Sequence, residues 1–414
     1  MNPMRRAGRS AALFWAAFLA VHALLAVAGA GAFGRPAFFD VDLYRQWIEA
    51  GLQAGVWPVL DTPWVYPVGA LLPLLPLAAV ASSPTGAVVV WCVLVTALDG
   101  VASVVLRRHL PAGVGAAWWW LAFVLALGPV GMGRLDAVVA ALMVPAFAVA
   151  TTRPALASAL LTLVAWIKAT PGVAFLALVA AVRERGRAIV AAAAGVSVLV
   201  VGTALALGAG GRVLDFVLEQ GSRGLQVEAV AATPYVLARL VSPAVTIVFD
   251  PLVTYEVHGP GADGVALALD VALPVAVAVV TWLVWRSRRG LTSAGALAWG
   301  AFALLLVAVV VNKVLSPQYV AWLAPPVAVA LGRAAGRVRW RRVAAWTLVA
   351  AFLTQLVYPI GYPDLLAGSA VWAWVLAARN AVLVGLLVVA LRVLVAAGRR
   401  RRREAESGRT LRSA

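Results

Sequence analysis

The sequence predicts an all-α polytopic membrane protein, a bundle of about twelve transmembrane helices with an interfacial helix in the first outer loop. Of its 414 residues, 63% are hydrophobic and 12% are charged, whereas soluble domains are about half apolar and about a quarter charged. Many apolar runs approach the ~20 residues that cross a bilayer. The 34 Lys and Arg residues also gather at the ends of alternate runs. These three observations disfavour a soluble enzyme, a disordered chain and a nucleic-acid-binding domain.

The apolar runs give the predicted spans in chain order. The first run follows three N-terminal arginines, and it is longer than the apolar part of a secretory signal, so we expect an uncleaved first span. The short run Val68–Ala81 contains Pro73 and Pro76 and is predicted to be a re-entrant or surface helix. Several central runs are too short to cross alone, which suggests a bundle that encloses a cavity. The predicted spans are 11–31, 85–106, 114–130, 135–150, 155–167, 171–182, 187–207, 265–285, 292–311, 319–332, 343–358 and 369–396.

Charge predicts the orientation of these spans. With the N-terminus inside, 25 of the 34 Lys and Arg residues fall on the cytoplasmic side, as the positive-inside rule requires. Most carboxylates fall on the other side, which is an independent observation. Both termini are therefore predicted to be cytoplasmic in a cell membrane. We expect residues 1–398 to form the transmembrane domain and 399–414 a disordered basic tail that contacts anionic lipids.

Cysteine and histidine are too few and too scattered for a metal site of their own. The single cysteine, Cys92, excludes an internal disulfide, and the three histidines have no ligand-like spacing. No metal ligands are therefore predicted. Carboxylates alone could still hold a cation, so a requirement for a divalent cation remains open.

The first outer loop carries the first carboxylates of the chain. Asp40 and Asp42 lie at the membrane edge, before residues 43–54, whose apolar spacing predicts an interfacial helix. A carboxylate at this place could cap that helix or act as a general base toward a hydroxyl, and the sequence favours neither. Asp61 and Tyr66 follow in the same loop as candidate pocket residues.

Further polar residues gather at the outer ends of later spans. A buried lysine or arginine at such a depth is costly unless it is paired or lines a cavity. Cations of this kind suit phosphate recognition, and the neighbouring carboxylates and polar groups are candidates for the same pocket. Asp136 could also simply favour its helix dipole. The candidate phosphate ligands are Arg134, Lys168, Arg223 and Lys313, and the other pocket candidates are Asp136, Glu228, Gln318 and Tyr319.

Together these residues predict a ligand class. The sequence has no P-loop and no glycine-rich dinucleotide motif, and nucleotides are scarce on the outer side of a membrane. A phosphate-bearing lipid delivered through the bilayer fits both the cations and their location. Asp99 lies inside a span, toward its inner end, so we expect it to pair with a neighbouring helix.

In these same motifs the sequence resembles the polytopic glycosyltransferases of the GT-C superfamily. The closest resemblance is to glycosyltransferase family 87, the polyprenol-phosphate-mannose-dependent mannosyltransferases of actinobacteria. The motifs extend over residues 38–380. They are Asp40-x-x-x-Tyr44, Asp61 with Tyr66-Pro67, Arg134-x-Asp136, Lys168-x-x-Pro171, Arg223-x-Leu225-Gln226-x-Glu228, Lys313-x-x-Ser316-Pro317-Gln318-Tyr319-x-x-Trp322, Tyr358-Pro359 and Arg379-Asn380.

The resemblance implies a GT-C-like bundle and an inverting sugar transfer at the outer membrane face. Asp40 matches the position of the catalytic aspartate of the family, and Asp42 is an extra carboxylate. The donor would be a polyprenyl-phosphate hexose, with mannose as the implied sugar, and the acceptor a hydroxyl of a lipid or glycan. The implied ligands of the donor phosphate are Lys313, Arg223, Lys168 and Arg134.

Two other functions compete with this one. A transporter or lipid flippase would explain many spans and buried cations without covalent chemistry, although no inverted repeat is visible and the polar residues favour one side. A non-catalytic scaffold is the second alternative. It is suggested by the first loop, where the family's Glu-Tyr-Pro-Pro reads Val65-Tyr66-Pro67-Val68.

Overall fold

The computed structural model describes residues 3–182, 185–221, 223–250, 254–333 and 337–410. It confirms the predicted all-α polytopic class. The helices in the described part of the chain are α1 Pro3–Gly29, α2 Phe39–Ala54, α3 Leu71–Leu74, α4 Pro84–His109, α5 Gly113–Leu127, α6 Leu135–Val149, α7 Pro154–Ile167, α8 Val173–Ala181, α9 Gly186–Ala206, α10 Asp215–Gly221, α11 Thr233–Ala238, α12 Ala262–Ser287, α13 Ser293–Val310, α14 Ala324–Gly332, α15 Arg337–Gln355, α16 Tyr362–Leu366 and α17 Ala370–Thr410.

Every predicted span is helical, but the spans differ in length. Within the described residues, eight helices are long and apolar enough to cross a membrane. The other four predicted spans are shorter helical segments, Leu135–Val149, Pro154–Ile167, Thr170–Ala181 and the pair of Pro317–Leu323 with Ala324–Gly332. In the described residues the twelve predicted spans are therefore eight long helices and four shorter helical segments, as expected for a bundle in which several central runs are too short to cross alone. The proline and glycine residues at their ends break these short helices.

Two of the short helices, α6 and α14, lie in the centre of the bundle together with the longer α13. Most residues of α6, α13 and α14 are buried, whereas α9 and α12 expose most of their surface on the outside of the bundle. A helix that is apolar on all sides and buried on all sides belongs to the interior. The breaks at the ends of α6, α7 and α14 bring polar loop residues against this interior.

The first outer loop contains the predicted interfacial helix, α2, which begins at Phe39 rather than at residue 43. It is followed by the broken helix Val68–Val80, made of two 3-10 turns around α3. Its 13 residues cover less than the ~30 Å of a bilayer core at about 1.5–2 Å per residue. This length agrees with the predicted re-entrant or surface helix.

The long loop 208–264 contains a β-hairpin that the sequence analysis did not predict. Strand β1, Thr246–Asp250, pairs antiparallel with β2, Thr254–His258, and an isolated bridge joins Gln226 to Glu256. Both strands are rich in β-branched and aromatic residues, which favour strands. The hairpin holds the segment around residue 226 at one end of the bundle.

Two further predictions concern the interior and the tail. Asp99 on α4 pairs with His22 on α1, with 3.1 Å between the carboxylate oxygen and Nε2, which confirms the predicted pairing with a neighbouring helix. Helix α17 continues to Thr410, and residues 411–414 of the predicted tail lie outside the described residues. The division between a bundle and a disordered tail at residue 398 stays a prediction.

Candidate active site

The start of α2 presents Asp40 to the bundle. Phe38 is the residue before the helix and makes no side-chain cap, while Asp40 and Asp42 lie inside the first turn. Neither carboxylate is therefore the predicted N-cap. Two positions along a helix differ by about 200°, so the two side chains point to different faces. Asp42 is bound by Arg45 and Gln46 at 2.8 Å and 2.7 Å, and the hydrogen bond from Arg45 lowers the Asp42 pKa.

Close packing fixes α2 against the loop that precedes α6. A side chain on Gly133 would collide with the ring of Phe38, so only glycine lets the two segments approach. The Tyr44 hydroxyl accepts a hydrogen bond from the Leu135 N–H at 3.3 Å. Trp91 of α4 donates to the Met132 carbonyl at 2.9 Å. These contacts bring the first turn of α2 to the loop that carries Arg134.

Asp40 and Arg134 form an ion pair at this junction. Nη1 of Arg134 contacts Oδ1 of Asp40, and Nη2 donates to the Tyr358 hydroxyl at 3.2 Å. Arg134 is only 7% exposed. Burial opposes the charge, but Asp40 raises the Arg134 pKa above its ordinary value, so the guanidinium stays cationic.

A second ion pair lies beside the first. Lys168, in the break after α7, donates to Asp136 Oδ2 at 2.8 Å. Its ammonium group lies over the rings of Tyr66, Tyr319 and Trp322, at 5.4, 4.8 and 5.8 Å from their centres, and such faces attract cations. Burial opposes the charge, yet Asp136 holds the Lys168 pKa above its ordinary value.

Tyr66 interacts with members of both ion pairs. Backbone packing of Gly69 against the Trp166 carbonyl leaves no room for a side chain and sets the first loop on the end of α7. Desolvation raises the Tyr66 pKa to about 12, with Lys168 opposing and Asp40 and Asp136 adding to the rise. We call Asp40, Tyr66, Arg134, Asp136 and Lys168 the charge cluster.

Glu228 adds a third carboxylate near Arg134. It is 1% exposed, and its Oε2 lies 3.7 Å from Nη2 of Arg379 on α17, which also donates to the Glu228 carbonyl at 2.9 Å. Asn380 donates to the Thr233 hydroxyl at 2.8 Å and ties the following segment to α17. Burial raises the Glu228 pKa to about 7, against the opposing fields of Arg379 and then Arg134.

Lys313 belongs to a neighbouring group rather than to the charge cluster. Its ammonium donates to Asp270 Oδ2 at 2.8 Å and to the Gly221 carbonyl at 2.9 Å. Its carbonyl accepts from the Gln226 N–H at 3.0 Å, which joins it to the segment that ends at Glu228. Arg223 lies in this segment, and its Nε is buried without a hydrogen-bond partner among the described residues.

The remaining predicted residues have different placements. The Asp61 carboxylate is exposed and accepts from the Trp57 N–H at 2.8 Å, closing its own turn. Gln318 and Tyr319 are buried in the turn Pro317–Leu323, and the Tyr319 ring stacks on Trp322. The structure therefore brings six predicted residues together directly, and it places Asp42 and Asp61 in contacts of their own. The six are Asp40, Tyr66, Arg134, Asp136, Lys168 and Tyr319.

Several contributors were not among the predicted site residues, including Trp322, Arg379 and Asn380. The Tyr358 hydroxyl binds Arg134, and Asp270 pairs with Lys313. Asp270 follows a run of apolar residues in α12, and a carboxylate in such a helix is a signal for a partner. Among the described residues, no group of three or more His, Cys, Asp or Glu side chains could hold a metal ion.

Comparison with known protein families gave a match. The sequence model of a family described as "Glycosyltransferase family 87" matches residues 64–308, more than half of the chain. The matched range contains Arg134, Asp136, Lys168 and Glu228, while Asp40 precedes it and Lys313 follows it. Searches of curated proteins and of solved structures found no match.

Proposed function

The chain belongs to glycosyltransferase family 87 and is therefore a membrane glycosyltransferase, and from this premise we propose its donor and its mechanism. The donor is a polyprenyl-phosphate hexose, with mannose as the sugar. The acceptor is a hydroxyl group of a lipid- or glycan-linked molecule. The observation that carries the proposal is the charge cluster, in which a carboxylate at the start of an interfacial helix contacts a buried arginine beside a buried lysine.

The proposed reaction is a single inverting displacement at the anomeric carbon. The acceptor hydroxyl gives its proton to a carboxylate oxygen of Asp40, and the oxygen attacks the anomeric carbon from the face opposite the phosphate. The bond between that carbon and the phosphate oxygen breaks, and its electron pair leaves with polyprenyl phosphate. The sugar is transferred with inversion. Fixed cations aimed at the leaving phosphate stabilise the charge that develops on it.

The cations of the site have two proposed roles. Arg134 and Lys168 are buried and already charged, so they provide a cationic surface without reorganisation. A donor phosphate that binds Arg134 competes with Asp40 for the guanidinium and releases that carboxylate to accept a proton. Lys313 and Arg223 approach from the neighbouring loop segment and serve the same phosphate or the pyranose ring.

Substitution of Asp40 tests the proposal. We expect Asp40→Asn to leave expression intact and to abolish transfer from labelled polyprenyl-phosphate mannose, because the amide cannot accept the proton. Removal of such a base costs about 10²–10⁴-fold in rate. Asp42→Asn is the matched control, since it makes the same change two residues further along α2 in a side chain bound by Arg45.

Other results of this assay would contradict either the assignment of the base or the proposed function. Transfer retained by Asp40→Asn contradicts the assignment of the base. Loss of transfer in Asp42→Asn alone moves the base to Asp42. If the unsubstituted protein gives no labelled product with any acceptor fraction, the non-catalytic scaffold is favoured, and solute flux into proteoliposomes without a product favours the transporter.

We also propose that the site faces away from the cytoplasm. The charge cluster lies at the ends of spans that carry few Lys and Arg residues outside the cluster itself. The opposite ends carry most of the basic residues and are expected to be cytoplasmic. Lipid-linked sugars presented at the outer face can then reach Asp40 from the bilayer.

A further inference from the structure

A concavity lies at the end of the bundle opposite the charge cluster. It is a groove of about 390 Å³ between α5, α14 and α15, a volume within the ~300–1,000 Å³ of typical ligand sites. Its floor includes Trp119, whose indole N–H donates to the Ala344 carbonyl at 3.2 Å. The groove is lined by Ala112, Gly115, Ala116, Trp119, Ala330, Leu331, Arg341, Ala344, Ala345 and Leu348.

The helices themselves fix the distance from the active site. Gly115 near the start of α5 lines the groove, whereas the end of α5 leads through residues 128–131 to Arg134. At about 1.5 Å per residue, α5 separates the two by about 20 Å. Ala330 lies at the far end of α14 from Tyr319, which packs on Lys168. The groove is therefore a separate site.

The lining of the groove is almost entirely apolar, and its single charged member is an arginine. Nine of the ten lining residues carry no charge, and Arg341 is exposed at the rim. Apolar walls with one cation at the mouth suit an amphipathic anion, in which a hydrocarbon chain fills the groove and a negative headgroup meets the guanidinium.

The surroundings of the groove strengthen this charge pattern. Arg339 and Arg342 are exposed beside Arg341, and Arg108 is exposed at the end of α4. The Ala112 N–H, just before α5, donates to the Gly332 carbonyl at 2.8 Å, so the turn between α4 and α5 meets the end of α14 at the groove. The sequence has no Asp or Glu from residue 100 to 135 or from 320 to 363. No carboxylate of these segments opposes an anion.

We propose that this groove binds one anionic glycerophospholipid of the leaflet opposite the active site, with an acyl chain along α5 and α15 and the phosphate at Arg341. Basic pockets between transmembrane helices on the cytoplasmic side bind anionic headgroups. The groove is distinct from donor and acceptor binding, so this site does not depend on the proposed reaction.

Lipid binding to the full-length protein in mild detergent tests the proposal. Native mass spectrometry is used with phosphatidylglycerol and with phosphatidylcholine of the same acyl chains. We expect phosphatidylglycerol to bind about fivefold more tightly for each interfacial arginine that meets it. Equal binding of the two lipids, or no bound lipid, would overturn the proposal. Displacement by inorganic phosphate alone would indicate a simple anion site and would also overturn it.

Two variants distinguish the contribution of the acyl chain to binding from that of the headgroup. Gly115→Leu fills the groove from a helical position where an added Cβ meets nothing within 4 Å, and we expect it to weaken binding of both lipids at least fivefold. Gly195→Leu is its control, because it makes the same change in open space on the exposed face of α9. Unchanged binding in Gly115→Leu contradicts the proposal.

Arg341→Ala should reduce the preference for phosphatidylglycerol about fivefold while phosphatidylcholine still enters the groove. Arg187→Ala, at an exposed position at the start of α9, removes the same charge away from the groove and should keep the preference. If both variants lose the preference equally, the effect is one of overall charge and the assigned site is wrong.

Discussion

At the scale of single residues, the buried cations of the charge cluster are held by carboxylates that have few other partners. Asp136 Oδ2 binds Lys168, while Asp136 Oδ1 is buried without a hydrogen-bond partner among the described residues. A buried ion pair is poor evidence for stability in itself, because desolvation offsets much of the attraction. Proteins tolerate the desolvation of a buried ion pair where its charge has a function, which agrees with the proposed contact between Lys168 and the donor phosphate.

Removal of one member of the Asp136–Lys168 pair should destabilise the protein far more than removal of both members. We expect Asp136→Asn to destabilise the protein by about 3–5 kcal/mol, because it leaves Lys168 charged and buried without its partner. The double variant Asp136→Asn with Lys168→Met should recover most of the stability and still transfer no sugar. Thermal unfolding and the transfer assay measure the two effects separately. The partly exposed pair of Asp42 and Arg45 is the control, and Asp42→Asn should cost at most about 1 kcal/mol.

If the double variant regains both stability and full transfer, the pair is structural only. If Asp136→Asn is as stable as the unsubstituted protein, Lys168 has another partner in solution.

Glu228 predicts a pH dependence of stability. Burial raises its pKa from 4.5 to about 7 in the folded protein, so between these values the unfolded chain releases a proton that the folded chain keeps. Stability therefore falls as the pH rises through this window and is level above it. The loss is at most about 3 kcal/mol. We expect Glu228→Gln to remove this part of the dependence in thermal unfolding measured from about pH 5 to about pH 7.5.

Asp263→Asn, which changes an exposed carboxyl in the first turn of α12, is the control and should leave the dependence unchanged. A slope of the same size in Glu228→Gln and in the unsubstituted protein would show that other groups cause it.

At the scale of elements, the sequence predicts helices well and their partners poorly. Every predicted span is a helix because a long apolar run in a bilayer must satisfy its backbone internally. The hairpin β1–β2 lies in a mixed loop where no such requirement applies, and its pairing with residue 226 is decided by tertiary contacts. The interfacial helix was predicted from residue 43, but packing of Phe38 against Gly133 lets it begin at Phe39.

The candidate site shows the same contrast: its residues were predictable from the sequence, but their contacts were not. The motifs supplied Asp40, Arg134, Asp136 and Lys168 because polar residues at the ends of apolar runs are conspicuous. Their pairing was not predictable, since Arg134 could equally have faced a phosphate, a lipid headgroup or another carboxylate. The partner of Lys313 was missed because Asp270 lies 43 positions away, and only the packing of α12 against α13 shows that the two meet.

At the scale of the whole molecule, the formal charge of +17 is divided between two ends of the bundle. The end around Arg341 and Arg108 carries arginines, and the sequence has no Asp or Glu in residues 100–135 and 320–363 around it, which suits an anionic membrane surface. At the other end, Arg134, Lys168 and Lys313 are each paired with an acid. Charge therefore has one role in orientation at the first end and another in the proposed chemistry at the second.

The orientation of these two ends relative to the membrane can be measured with cysteine labelling, since Cys92 is the single native cysteine and is buried. In a Cys92→Ser background, Ala54→Cys places an exposed thiol at the end of α2, and Thr152→Cys places one in the exposed turn after α6. We expect a membrane-impermeant maleimide to label Ala54→Cys in intact cells and Thr152→Cys only after permeabilisation. Three predicted spans, an odd number, separate the two positions.

The reverse pattern would invert the orientation. Labelling of both from one side would mean an even number of crossings, as would follow if Val68–Val80 spans the membrane, and the position of the charge cluster relative to the bilayer would then have to be reassigned.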